Sequence, residues 1–373
     1  MTVTLLVGPE TTIQNTDNIV RGMDAAVYEL EPDAAPLTVL MNQMGTVPSG
    51  NPKFEWNEDE PMPRVTTLSA SATSAATTFG TTLDIWRVGD VVKFSSLGFG
   101  VLVTATAAGT FSGTAIGTQV SAASTAETYR IGNANAELAT LRELKFSQLN
   151  VPYNYDQIIR TPFGVSTTDM GTQHYGGDER ARLAKHFGIE HARTIEATHF
   201  FGIRSISSVT RTAGGLQYYI STNITADSGG LTEAEWRTFL RSGFRYGSSR
   251  KVAFCSPLAY SVIEGYATLR VNDPQGAKQD YGFVMNSYAC AQGVVDLVMH
   301  RDWNDSSVYN GYVFLVDMDA PVRERPLQNV GATQLLKNRQ APDYDGVKDE
   351  YRSETGIQVV HERRHALLTG VTG

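Results

Sequence analysis

Two cysteines, Cys255 and Cys290, are all that 373 residues contain. That is too few for a disulfide framework, and no Cys-x-x-Cys pair suggests zinc. A reducing, cytosolic place of synthesis is the expectation. Long apolar runs are also missing. No stretch approaches the roughly 18 residues of a membrane span, so no membrane partner is expected. The first 20 residues hold no Lys or Arg, hence no basic region of a signal peptide. Bases are outnumbered, 31 Lys and Arg against 39 Asp and Glu, for a net charge of −8. This balance argues against a general nucleic-acid binder, which needs a basic surface to neutralise phosphates. What the chain does have is glycine, 34 residues of it, with abundant Ser, Thr and Ala. That composition suits a β-rich protein with many turns, and the length allows two or three compact units.

The first 45 residues read as an extended arm around one short helix. Asp17 and Asn18 cap it, Ile19, Met23, Ala26, Val27 and Leu30 are its apolar positions, and Pro32 and Pro36 stop it. In Lys53–Glu58, Phe54 and Trp56 alternate with polar residues, the period of a half-buried strand. Nearly a hundred residues later, Leu149, Val151, Tyr153 and Tyr155 alternate with Asn150, Pro152, Asn154 and Asp156; Pro152 places that strand at a sheet edge. The two runs are expected to be the arms of one long hairpin. Between them, residues 65–135 are mostly Ser, Thr, Ala and Gly. Leu83–Trp86, Val91–Phe94 and Val101–Thr104 are β-forming runs divided by Gly89-Asp90 and Gly98-Phe99-Gly100. A flexible linker has no use for Trp86, Phe94 and Phe111, so a small inserted all-β domain is expected.

A helix from about Asp178 to Phe201 follows, free of proline and ending at Gly202. Leu183, Ala184, Phe187, His191, Ile195 and Thr198 lie along one side. Residues 211–345 alternate strands and helices. Thr232-x-x-Glu235 forms a capping box ahead of Trp236, Phe239 and Leu240. Lys251–Cys255 is a strand, Ser256-Pro257 opens a helix to about Ala267, and strands follow at Val294–Met299 and Tyr312–Val316. Gly356–Val360 reads as the last strand. No internal repeat is present.

No set of residues makes a credible catalytic site. His361-Glu362-Arg363-Arg364-His365 matches the spacing of a zinc hydrolase helix. It follows a β-run, however, and only eight residues remain after His365 to supply a third ligand. In a strand the two histidines lie about 13 Å apart, so the expectation is a polar, partly solvated strand end. Cys255 ends an apolar strand and reads as a core residue. Asp317 and Asp319 share a strand face but read as solvated carboxylates. His174, His186, His191 and His199 are expected to serve interfaces or packing. No Gly-x-Ser-x-Gly elbow or phosphate loop occurs, and no cofactor or metal is expected. The two-stranded hairpin, marginal in water by itself, needs a partner surface for its Phe54/Trp56 and Tyr153/Tyr155 faces. A second copy would supply one.

This order of parts resembles the major capsid proteins of tailed bacteriophages with the Hong Kong 97 (HK97) fold, an α+β architecture, and in particular the branch carrying a β-domain inside the hairpin. Thr2 to about Met44 corresponds to the N-arm, and Lys53–Glu58 with Phe146–Gln157 to the E-loop strands. Tyr155-Asp156-Gln157-Ile158-Ile159 leading into Val165-Ser166-Thr167-Thr168 resembles the return to the P-domain, and Asp178–Gly202 its spine helix. Gly214-Gly215-Leu216 with Tyr219–Asn223 resembles the start of the A-domain. Val294–Leu297 with His300–Trp303 resembles its later strands. The implied layout is an N-arm over 1–45, an E-loop over 46–64 and 136–165, and an inserted β-domain over 65–135. A P-domain over 166–210, an A-domain over 211–345 and a closing P-domain strand over 346–373 complete it. The resemblance implies a structural, non-enzymatic protein assembling into pentamers and hexamers of an icosahedral shell around double-stranded DNA, which it encloses without sequence-specific binding. A separate scaffolding protein, a portal and a decoration protein are the implied partners, and the virion, assembled in the host cytoplasm, the implied location. Subunit-interface candidates are Phe54, Trp56, Glu58, Arg64, Tyr153, Tyr155, Arg180 and His191. Lys53, Lys93 and Lys145 carry no mark of a crosslinking residue. The competing readings are a tail or surface-layer subunit, and a zinc hydrolase using His361, Glu362 and His365.

Overall fold

The computed structural model describes residues 35–94, 98–137, 141–174, 177–227, 229–267, 278–280, 283–319 and 322–372. The arm helix expected around Ile19–Leu30 lies outside these. The chain divides into two compact units, one formed by Met1–Trp56 with Tyr153–Gly373 and the other by Asn57–Pro152.

In the first unit, the longest strand, Gly346–Val359, is the spine of a four-stranded antiparallel sheet. Gln157–Ser166 pairs with its residues 346–355, while Val322–Pro326 and Gln334–Leu336 pair along its other side. Pro162 is tolerated because its strand is at the sheet edge. Within Gln157–Ser166 burial alternates strictly, and Ile159, Phe163 and Val165 are buried. The long helix, Glu179–Phe201, packs on this sheet. Asp178 caps it by accepting the Arg180 N–H, and Gly202 ends it. At 1.5 Å per residue it is about 35 Å long. Phe187 stacks on Phe163 at 5.5 Å, and the Tyr351 hydroxyl donates to the Ala184 carbonyl.

A seven-stranded mixed sheet is the other large layer of the unit. Its order is Ile224–Ala226, Ala366–Thr369, Val313–Val316, Arg250–Cys255, Gly293–Met299, Phe283–Cys290, Lys278–Asp280. Its central strands read as unbroken apolar runs because both faces are covered. Val252, Phe254, Phe314 and Val316 face a core shared with Phe200, Trp303, Leu37 and Met41. Ala253, Cys255, Val313 and Leu315 face the other core, with Trp236, Phe239 and Ile263. The Thr232/Glu235 capping box forms on helix Glu233–Gly243, and the Ser256 hydroxyl accepts the Ala259 N–H at the start of helix Pro257–Ala267.

Two expectations need correction here, and one helix, Pro36–Met44, was not expected: Pro36 opens it from the first-turn position where its missing N–H costs nothing. The strand at Gly356–Val360 is not the last. A 3₁₀ turn at Glu362–Arg364 leads to Ala366–Thr369, which inserts between Ile224–Ala226 and Val313–Val316 of the large sheet. The tail is therefore not confined to the spine sheet. Conversely, Val322–Pro326 and Gln334–Leu336, assigned by sequence to the 211–345 segment, join that spine sheet.

The second unit is a six-stranded antiparallel sheet in the order Val65–Thr67, Glu127–Asn133, Asp90–Phe94, Gly100–Ala107, Thr110–Ile116, Thr78–Gly80. Trp86, Phe79, Phe94, Phe99 and Phe111 fill its core. The unit is wider than the expected 65–135 because residues 57–64 and 136–152 belong to it. Leu83–Trp86 is not a strand: Ile85 and Trp86 are buried from a loop. Gly98, ahead of Phe99, has φ +69°, a left-handed conformation that favours glycine.

Candidate functional site

The base of the hairpin pairs in one register, Lys53 opposite Tyr155, Phe54 opposite Asn154 and Glu55 opposite Tyr153. Side chains directly opposite share a face. Phe54 therefore shares its face with Asn154, not with the tyrosines, and the expected polarity of the second arm is inverted. Asn154 and Asp156 are fully buried, while Tyr153 and Tyr155 are half-exposed.

The inversion has a hydrogen-bonding cause. The Asn154 amide donates to the Gly214 and Ile357 carbonyls at 2.9 and 2.7 Å, and its oxygen accepts the Gly214 and Tyr155 N–H groups at 2.8 and 2.9 Å. Both amide hydrogens and both lone pairs are used. One side chain thus ties the hairpin to the long strand and to the Gly214-Gly215 turn. Gly215 is required in that turn, since a Cβ there would sit 2.7 Å from the Gly202 nitrogen.

Phe54 and Trp56, expected to need a second molecule, are covered by their own unit. They stack at 6.1 Å, and Trp56 meets the Tyr219 ring at 5.8 Å. Phe54 lies against Gly356, where a Cβ would come within 3.1 Å of its ring, and beneath the Arg325 guanidinium. His191 is also internal, bonded to the Thr161 and Ser353 hydroxyls at 2.9 and 2.7 Å, and burial pushes its pKa down. Arg180 grips Asp349 with two bonds of 2.8 Å. Burial alone would raise the Asp349 carboxyl; Arg180 and the Asn338 N–H hold it below the usual range instead. Glu58 is buried and its backbone pairs with Asn150. Arg64 is exposed, and Tyr153 and Tyr155 remain accessible with Arg204 stacked 3.9 Å over Tyr153.

Asp156 is poised to titrate. Its carboxylate accepts the Ser49 hydroxyl at 2.9 Å, but the other oxygen, Oδ1, is buried without a hydrogen-bond partner. Burial, with Glu354 adding to it, pushes its pKa from 3.8 to about 7 despite Ser49, Arg211 and Arg325. The folded chain then holds a proton between about pH 4 and 7 that the unfolded chain has released, so this group's contribution to stability falls as pH rises through that window. Asp156→Asn is expected to match the wild type near pH 4 and exceed it by about 4 kcal/mol at pH 8, measured by urea unfolding. The difference between the two proteins isolates Asp156 from His365, whose neutral buried ring works in the opposite direction. A flat difference across pH 4–8 would contradict the assignment.

The His361–His365 segment is a clasp. His361 adopts a left-handed conformation at φ 55°, and a 3₁₀ turn follows instead of the expected strand end. Glu362 accepts the Ser221 and Thr222 N–H groups, each at 3.0 Å, and both hydroxyls. Burial alone would raise this carboxyl; those donors hold it below the usual range. His365 is buried, its Nδ1 accepting the Asp317 N–H, and burial pushes its pKa to about 3. Asp317, expected to be solvated, is fully buried and bound by the Ser248 N–H, the Ser248 hydroxyl and Arg364. Lys251, also fully buried, donates to the Gly243, Tyr246 and Arg364 carbonyls, and burial lowers its pKa to about 8. This chemistry is spent on locking the last strand in place. Among the described residues no group of three His, Cys, Asp or Glu side chains could hold a metal ion, and Cys255 is buried in the core.

A surface feature that periodicity reached only at its end, Leu149 and Val151, lies at residues 141–151. Leu141, Leu144 and Phe146 are 88%, 79% and 86% exposed, with Leu149 and Val151 following at about half exposure. No strand is formed over 141–149. Ile203, Ile206 and Val209 form a second exposed apolar group, at the Ser205–Thr212 hairpin. Large apolar side chains left this exposed close together in sequence are candidates for a contact surface.

The model of the SU10 major capsid protein family matches residues 7–372. The chain belongs to that family. It is a phage major capsid protein, a shell-forming structural protein and not an enzyme. Solved structures agree on the fold. The cyanophage A-1(L) capsid is 11% identical with a TM-score of 0.55, the match covering 98% of this chain and 100% of that one. The mycobacterium phage Adephagia structure is 10% identical with a TM-score of 0.51 over the same shares. The native GTA particle capsid is 9% identical with a TM-score of 0.50, again covering 98% and 100%. No curated protein matches in sequence. The capsid protein thus has the HK97-like α+β fold, with an additional sheet in its second unit.

Proposed function

We propose that this capsid protein assembles into pentamers and hexamers that tile an icosahedral shell around double-stranded DNA. The observation that carries the reading is the exposed apolar run from Leu141 to Val151 in a member of a shell-forming family. This run lies over a neighbouring subunit and buries there the side chains its own chain leaves open. Head-to-tail contacts close into rings, and modest contacts repeated around each subunit add up to a stable shell. The net charge of −8 suits a container that holds DNA without gripping it. A separate scaffolding protein, a portal and a decoration protein are the further partners of such a shell, and the host cytoplasm is where it forms. The Tyr153/Tyr155 face and Arg64 remain available as additional contacts.

The test is Phe146→Asp. The wild-type chain, expressed alone or with its scaffold, is expected to sediment as particles with fivefold and sixfold capsomers under the electron microscope. The variant is expected to stay as soluble subunits with an unchanged circular-dichroism spectrum. Particle yields equal to wild type would overturn the role given to this segment.

A further inference from the structure

Within the second unit, a cleft of about 290 Å³ is lined by Arg64, Arg87, Arg130 and Arg142, with Asp90 and Met62 among its other walls. Four guanidiniums against one carboxylate leave a local charge of +3, in a chain whose net charge is −8.

The carboxylate is already committed. Asp90, 2% exposed, takes Arg142 on Oδ1 at 2.5 Å and the Arg87 backbone N–H on Oδ2 at 2.9 Å, with Arg130 3.9 Å away. The remaining arginine donors find poor acceptors. Arg87 Nη2 and Arg130 Nη1 both point at the Met62 sulfur, at 3.9 and 3.8 Å, and a thioether is a weak acceptor. Arg87 also reaches the Lys145 carbonyl, but its Nε is buried without a partner. Arg64 is exposed and has no ion pair among the described residues. Each guanidinium presents five N–H donors in a planar fork that fits two oxygens at once, so this wall carries a large excess of donors around a small space. The group that satisfies such a wall is a compact anion with several oxygens.

We propose that this cleft is an oxyanion site. It takes a phosphate or carboxylate group on Arg64, Arg87 and Arg130, while Arg142 and Asp90 fix the frame. The anion is either free in solution or a carboxylate of another subunit. Only that second source rests on the shell reading; the cleft itself does not.

The experiment is calorimetric titration of the full-length soluble subunit with inorganic phosphate, ionic strength held constant with chloride. Saturable one-to-one binding in the millimolar range or tighter is expected, weakened about tenfold or more in Arg64→Gln and further in Arg64→Gln/Arg130→Gln. Arg64→Gln keeps the test secure if the double variant fails to fold, because Arg64 makes no ion pair within the described chain. Repeating the titration on assembled particles separates the sources. Phosphate binding that persists there identifies a free anion; binding lost on assembly identifies a subunit carboxylate; both uphold the site. Absence of saturable binding to the free subunit, or an affinity that Arg64→Gln leaves unchanged, would overturn it.

Discussion

Glu196→Ala is expected to lower the stability of the chain by about 4 kcal/mol. Glu196 lies in the long helix and is 1% exposed. Its carboxylate accepts the Leu37 N–H at 2.7 Å, the Thr38 N–H at 2.8 Å and the Thr38 hydroxyl at 2.6 Å. These are the first free donors of helix Pro36–Met44, whose N-cap residue, Ala35, has no side chain able to accept them. A carboxylate there also meets the positive end of that helix. Removing it leaves both N–H groups unpaired, that of Leu37 buried and that of Thr38 half-buried, and releases Leu37, Leu40 and Met41 from the core they share with Phe200 and Phe254. The effect is expected to be local first, with protease cleavage near residues 35–45 rising before global unfolding. Glu196→Gln retains an acceptor and should lose about half as much. Urea unfolding of the three proteins checks this; a loss below about 1 kcal/mol in Glu196→Ala would contradict the capping role.

Trp56→Ala is expected to cost a similar amount, about 4 kcal/mol, within the range for truncating a buried tryptophan. Trp56 is 8% exposed, packed on Phe54 and Tyr219, and the Tyr219 hydroxyl in turn donates to the Tyr153 carbonyl at 2.7 Å. The cavity therefore opens where the hairpin base meets its own unit. The variant is expected to fail as an isolated subunit, with a lowered unfolding midpoint before any assembly step. A subunit of wild-type stability that is defective only in assembly would restore the reading in which Trp56 waits for a neighbour.

The sequence made some of this architecture legible because local chemistry decides it. The long helix starts and stops where Asp178 and Gly202 dictate, and the Thr232/Glu235 box and the Ser256-Pro257 start form as their residues require. The order of parts pointed to the capsid fold. What stayed hidden depends on distant partners. Asn154 looks like a solvent-facing polar residue until the carbonyls of Gly214 and Ile357 are beside it. Glu196 looks like helix surface until the Leu37 and Thr38 N–H groups are beside it. Ala366–Thr369 is too short to announce itself as a strand; its edges are supplied by segments about 50 and 140 residues earlier. Among the interface candidates, alternation located the hairpin base correctly but not which face turned outward. The exposed run from Leu141 to Phe146 escaped notice because it forms no regular element and so has no period to detect.

The most direct measurement is a cryo-electron microscopy reconstruction of particles made by this chain. It should reveal a closed shell in which residues 141–151 of each subunit lie on the next, with Leu141, Leu144 and Phe146 covered. A chain that stays solitary at every concentration, with or without a scaffold, or a shell that leaves those three side chains in solvent, would contradict the account.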